Sequence, residues 1–137
     1  MRLLIGSDSG YAALVRAAND LQQADARSPL LVLFGAGDSF AFRPRPSTIL
    51  VPRMPPGVIA CVPVLEEFGI ASRLASEAGL PGCYDGPVTE LARAWLQSME
   101  PEERAQACIG VAGPDELIGA AEQLGRDLQL PVERLAT

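Results

Sequence analysis

The residues with the clearest capacity for chemistry lie near the start of the chain, at Gly6-Ser7-Asp8-Ser9-Gly10. They form a tight turn between an apolar run, Met1-Arg2-Leu3-Leu4-Ile5, and a helix that the pattern predicts over Tyr11–Gln23. A strand, a tight turn and a helix N-terminus offer an anion free backbone N–H groups and the positive end of a helix dipole. The chemistry of such a turn is phosphate binding. Asp8 puts a negative charge in its middle and works against that chemistry. Ser9, and Thr89 further along, can hydrogen-bond to phosphate or ribose, or serve only the local turn and helix cap.

Other chemistries are excluded by composition. The chain has no histidine, which removes Ser-His-Asp catalysis and histidine base chemistry. Cys61, Cys83 and Cys108 are odd in number and far apart, without metal-ligand spacing. They read as buried free thiols, and no metal site is assigned. Glu66-Glu67, Asp85 and Glu90 offer acids, but their spacing secures no pair, so no catalytic residue is assigned. A net charge of -6 and a pI near 4.6 argue against nucleic acid as a partner, and Arg43-Pro44-Arg45 is too short to reverse that. No signal peptide is visible and no apolar run reaches membrane-spanning length, so no membrane partner is expected and a cytoplasmic location is the default.

The elements around the turn point to one α/β domain over residues 1–137. Leu14, Ala18 and Leu21 give the first helix an apolar stripe. Leu30–Phe34 is a continuous apolar run, as in a parallel strand covered on both faces, and it ends at Gly35-Ala36-Gly37-Asp38. Prolines 44, 46, 52, 55 and 56 break the alternation, leaving a loop, a short strand at Ile49-Leu50-Val51 and another turn. Val58–Phe68 reads as a short helix, interrupted or ended near Pro63 and stopped by Gly69.

Ile70–Ala75 reads as the next strand. Asp85-Gly86-Pro87 starts a helix with proline at its first position, and Val88, Leu91 and Trp95 share its apolar side. Trp95 is read as a core anchor, with a stacking platform as the alternative. Glu100–Gln106 is a polar connection with a turn at Pro101, and Ala107–Ala112 is a late strand. Gly113-Pro114-Asp115-Glu116 opens a last helix with one packing face, Leu117, Ala121, Leu124 and Leu128. Pro131–Leu135 is a short terminal strand. The expected architecture is a Rossmann-like three-layer sandwich around a mainly parallel five-stranded sheet, with helices on both faces.

Four segments, in order, carry a family resemblance. Gly6-Ser7-Asp8-Ser9-Gly10-Tyr11-Ala12-Ala13-Leu14 resembles the G-G-G-T-G-I-A-P-L segment of the pyridine-nucleotide domain in the ferredoxin–NADP reductase superfamily. Leu33-Phe34-Gly35-Ala36 resembles that domain's second strand and terminal turn. Asp85-Gly86-Pro87-Val88-Thr89 is similar to its G-x-V/T segment before a helix. Val111-Ala112-Gly113-Pro114-Asp115-Glu116-Leu117 resembles the C-G-P-x-x-M/L segment that opens the last helix. The electron-transfer subunits of dihydroorotate dehydrogenase are one branch with this pattern.

The resemblance implies an NAD(P)-binding half of a flavin-dependent reductase. It places cofactor contacts at Gly6, Ser7, Asp8, Ser9, Gly10, Gly35, Asp38, Gly113, Pro114 and Asp115. The family's flavin-binding barrel and iron–sulfur appendage have no counterpart in these residues, so neither flavin nor cluster is expected here. The departures weaken the site. Asp8 and Ser7 replace glycines, Ala13 replaces a proline, and Ala112 replaces the nicotinamide-side cysteine. Gly37-Asp38-Ser39 lacks the basic side chain expected for a 2′-phosphate, so the residual preference is NAD, bound weakly. Asp38 can accept from ribose hydroxyls or cap its own loop. Two functions follow: a degenerate NAD(P)-binding-like module working with a separate flavoprotein chain, or a non-catalytic interaction or regulatory domain that self-associates. For the second, residues 44–68 offer an apolar edge or a dimer face, and equally a cover for one side of the sheet.

Overall fold

The long apolar runs Leu3–Ile5 and Leu30–Phe34 become strands buried between two layers, and the glycine-bearing turns after them lie at strand ends. The computed structural model describes residues 1–136. In chain order the elements are β1 (Arg2–Ser7), a 3-10 turn (Asp8–Gly10), α1 (Tyr11–Ala24), β2 (Leu30–Ala36), β3 (Arg45–Pro46), β4 (Ala60–Cys61) and α2 (Pro63–Glu67). There follow β5 (Ala71–Ser76), β6 (Tyr84–Asp85), α3 (Val88–Gln97), α4 (Pro101–Arg104), β7 (Cys108–Ala112), α5 (Asp115–Leu128) and β8 (Val132–Arg134). The main sheet has the order β6-β5-β2-β1-β7-β8, and every pairing in it is parallel.

The alternation of side chains along each strand divides the core. Leu3 and Ile5 of β1, with Leu31 and Leu33 of β2, pack against Leu91 and Trp95 of α3 and Leu124 of α5. Leu4, Val32, Phe34 and Leu74 point to the other face, against Leu14 and Ala18 of α1 and Leu65 of α2. The fold is the expected Rossmann-like α/β sandwich. The sheet has one strand more than expected, because Tyr84 and Asp85 pair with Ala75 and Ser76 at its edge. Two residues with no apolar run carry no strand signal.

Four boundaries differ from expectation. Ile49-Leu50-Val51 is not a strand: the Ile49 N–H donates to Ser47 Oγ at 3.0 Å, and its C=O accepts from Arg73 at 2.6 Å. Side chains have taken the backbone groups that a ladder would need. Val58–Phe68 is helical only over Pro63–Glu67, because Ala60-Cys61 pairs antiparallel with Arg45-Pro46 and Pro63 then begins the helix. Pro87 is the extended N-cap of α3, and Val88 is its first residue. The polar connection after Glu100 contains a short helix, α4.

The proline-rich segment is anchored by polar groups as well as by apolar contacts. The Glu66 carboxylate accepts from Ser47 Oγ (2.8 Å), Thr48 N–H (2.7 Å) and Thr48 Oγ1 (3.0 Å). Burial alone would raise this carboxyl, but these bonds, with one from the Cys61 thiol, outweigh it and hold Glu66 below the usual range. Buried Ser72 accepts the Val62 N–H at 2.9 Å. Buried Arg73 donates to the carbonyls of Ser72 and Ile49, both at 2.6 Å. Of the three cysteines, all free, Cys61 is buried while Cys83 and Cys108 are half-buried. Burial pushes the Cys61 thiol up, and neighbouring Glu66 adds to this.

Candidate ligand crevice at the carboxyl end of the sheet

The chain leaves β1 through α1 on one face of the sheet and leaves β7 through α5 on the other. The order therefore reverses between β1 and β7. In open parallel sheets a crevice opens at the carboxyl ends of the strands at such a switch point. Here it measures about 350 Å³. Ser7 and Asp8 end β1, Gly35, Ala36 and Gly37 end β2, and Glu77 follows β5. Gly86–Thr89 at the start of α3 and Pro114, Glu116, Leu117 and Ala120 at the start of α5 close the other sides.

Four of the sequence-derived positions, Ser7, Asp8, Gly35 and Pro114, line this crevice. Gly6, Ser9, Gly10, Asp38, Gly113 and Asp115 flank it in the chain without lining it. Gly10 makes a close approach, but to the protein's own backbone. A Cβ on it would sit 2.0 Å from the Ala112 carbonyl oxygen. Gly113, at φ +152°, similarly abuts the Ser7 carbonyl oxygen, 3.0 Å from its Cβ position. These glycines seat the first and last helices against strand ends.

Asp8 adopts φ +46°, in the left-handed region that favours glycine. A short side chain that can bond locally is among the few that tolerate it. The backbone of the turn thus keeps a glycine-like conformation while the side chain adds a charge. Two further carboxylates line the crevice, Glu77 and Glu116, and among the described residues no arginine does. Glu116 is visible in sequence as a first-turn acid of the last helix. Glu77 was missed, although its place just past a buried strand is the available signal. Thr89 lines the crevice, whereas Glu90 is tied to the Tyr84 hydroxyl, which donates to it at 2.8 Å. That bond is the main reason the Tyr84 phenol lies above its usual range.

On the α1 side of the same strand ends lies an aromatic cluster that sequence reading did not single out. Tyr11 meets Phe34 edge-on at 5.3 Å and stacks on Phe42 at 5.4 Å, and Phe40 stacks on Phe42 at 5.1 Å. It fastens the loop after β2 to the start of α1. Burial raises the Tyr11 phenol. Among the described residues, no group of three or more acidic, cysteine or histidine side chains could hold a metal ion, and no helix is long and apolar enough to cross a membrane.

The sheet order and the crevice at its switch point define a Rossmann-like α/β protein. No family model, curated protein or solved structure matches the chain.

Proposed function

We propose that the chain is a degenerate NAD(P)-binding-like module related to flavin-dependent reductases, retaining a ligand crevice but not tight phosphate binding. The observation that carries this reading is the crevice at the switch point, edged by Ser7, Asp8, Gly35 and Pro114. Its size falls at the lower end for small-molecule sites, enough for part of a dinucleotide. Serine and threonine hydroxyls and strand-end backbone are suited to ribose and amide groups. Asp8, Glu77 and Glu116 disfavour phosphate, and among the described residues the lining offers no cation to offset them. Hydride transfer would need a flavin or other acceptor held outside these residues, on a separate flavoprotein chain.

Titration calorimetry and saturation-transfer NMR with NADH, NADPH, AMP and FMN test this reading. Weak binding of NADH or AMP by the wild type, strengthened in Asp8→Gly, is the expected result. Absence of binding by every one of these at millimolar concentration, in both proteins, would sink it.

The acidic lining also favours a second reading, a domain that kept the fold for interaction or regulation. In that case the variant would gain no nucleotide affinity. The protein would instead form a stable homodimer in light scattering.

A further inference from the structure

At the opposite end of the sheet, where the strands begin, a second cavity lies on the α3 face. Leu30, Leu31, Val51, Ala71, Trp95 and Met99 form much of its wall, and it is an open cavity of about 460 Å³. That volume is within the range of small-molecule sites. We infer that this cavity is a binding site for a compact, uncharged aromatic or alicyclic molecule.

The chemistry of the wall selects that class. Among the described residues, Arg53 and Glu103 are the only charged side chains in the lining, and they pair with each other. The Trp95 indole N–H is spent on the Pro52 carbonyl at 2.9 Å. The Met1 ammonium at the edge faces the Gln106 carbonyl at 3.4 Å, so an ionic ligand seated against the wall would lose its water and find no unpaired charged side chain there, which is costly. A neutral ring loses nothing comparable and gains contact with the indole and the aliphatic wall. Gln106, at the polar edge, can take a hydroxyl or carbonyl substituent.

The rim is built and held in place. Leu50, 86 % exposed, is part of the wall, so a molecule that fills the cavity covers it. The chain on either side of Leu50 is pinned. On one side Arg73 holds the Ile49 carbonyl, and Glu66 holds Ser47 and Thr48. On the other side Trp95 holds Pro52 and Glu103 holds Arg53. Arg53 sits at φ +66°, a left-handed conformation, and its side chain pairs with Glu103. Backbone strain of this kind gathers at ligand clamps, and a pinned rim reduces the ordering cost of binding.

The chain has a single tryptophan, and it lines the cavity. N-phenyl-1-naphthylamine, an uncharged probe that accepts tryptophan emission, therefore reports binding, and the cavity variants locate it. The expected result is one saturable site with energy transfer from Trp95. Leu50→Asp, at an exposed position, should weaken binding about tenfold, the equivalent of one lost apolar contact. Ala71→Phe should fill the cavity and abolish transfer while circular dichroism stays native. Asp8→Asn, at the other end of the sheet, should leave the affinity unchanged, which separates this site from the crevice. Transfer that does not saturate, or that is the same in Leu50→Asp and Ala71→Phe as in the wild type, overturns the inference. So does light scattering showing a dimer that Leu50→Asp dissociates, because the occupant would then be a second copy.

Discussion

Replacing Gly10 with alanine should destabilise the seam between the first helix and the central sheet. An ideal Cβ at this position lies 2.0 Å from the Ala112 carbonyl oxygen, 2.3 Å from its carbon and 2.7 Å from the Gly113 nitrogen. Restoring ordinary contact requires a retreat of about 1–1.5 Å. The obstacle is backbone, so no side chain can rotate away. Ala112 is held in the parallel ladder opposite Gly6, and Gly10 leads directly into α1. Overpacking a core typically costs about 1–3 kcal/mol, and two fixed backbones place this case at the upper end. A loss of about 3 kcal/mol is a large share of the roughly 5–15 kcal/mol that stabilises a domain. At this chain length it lowers the melting temperature by about 10 °C. Thermal unfolding followed by circular dichroism, with urea titration at 25 °C, measures both quantities. Gly37→Ala is the control: nothing lies within 4 Å of its Cβ position, and it should stay within about 0.5 kcal/mol of the wild type. Had Gly10 served only ligand approach, its alanine variant would lose binding and keep its stability. A Gly10→Ala protein that melts within about 3 °C of the wild type refutes the packing argument.

Asp8→Gly should raise stability by about 0.5 kcal/mol in urea titration, because relief at φ +46° outweighs the added freedom of the unfolded chain. Ser72→Ala should cost about 1–3 kcal/mol in the same assay, since it leaves the buried Val62 N–H without its acceptor. Glu66 makes its contribution conditional on pH. Its folded-state pKa is lowered, so its stabilisation is complete above the unfolded value of about 4.3 and is lost as pH falls through the folded value. Melting curves from pH 7 to pH 2 should therefore show a smaller acid-induced decline for Glu66→Gln than for the wild type. An unchanged decline would show that the Ser47 and Thr48 bonds do not depend on the charge.

The long elements were legible because their burial is written in their composition. Leu30 to Phe34 has the composition of a strand covered on both faces, and Leu117, Ala121, Leu124 and Leu128 have the spacing of one side of a helix. The short ones were not, because two-residue pairings such as Ala75–Tyr84 depend on what lies alongside. Ile49-Leu50-Val51 has strand composition, yet Arg73, 24 positions away, takes the carbonyl that would have entered a ladder.

By itself, the sequence determined the parallel α/β order and placed the glycine-bearing turns at strand ends, because apolar periodicity and turn residues act locally. It also marked Asp8 as the discordant residue of the first turn. Only the tertiary structure decided what the turn does. It put Gly10 against Ala112, added Glu77 and Glu116 to Asp8, and built a largely apolar cavity beside Trp95 at the far end of the sheet. Those outcomes rest on contacts between residues distant in the chain, and no local pattern encodes the distances at which they meet.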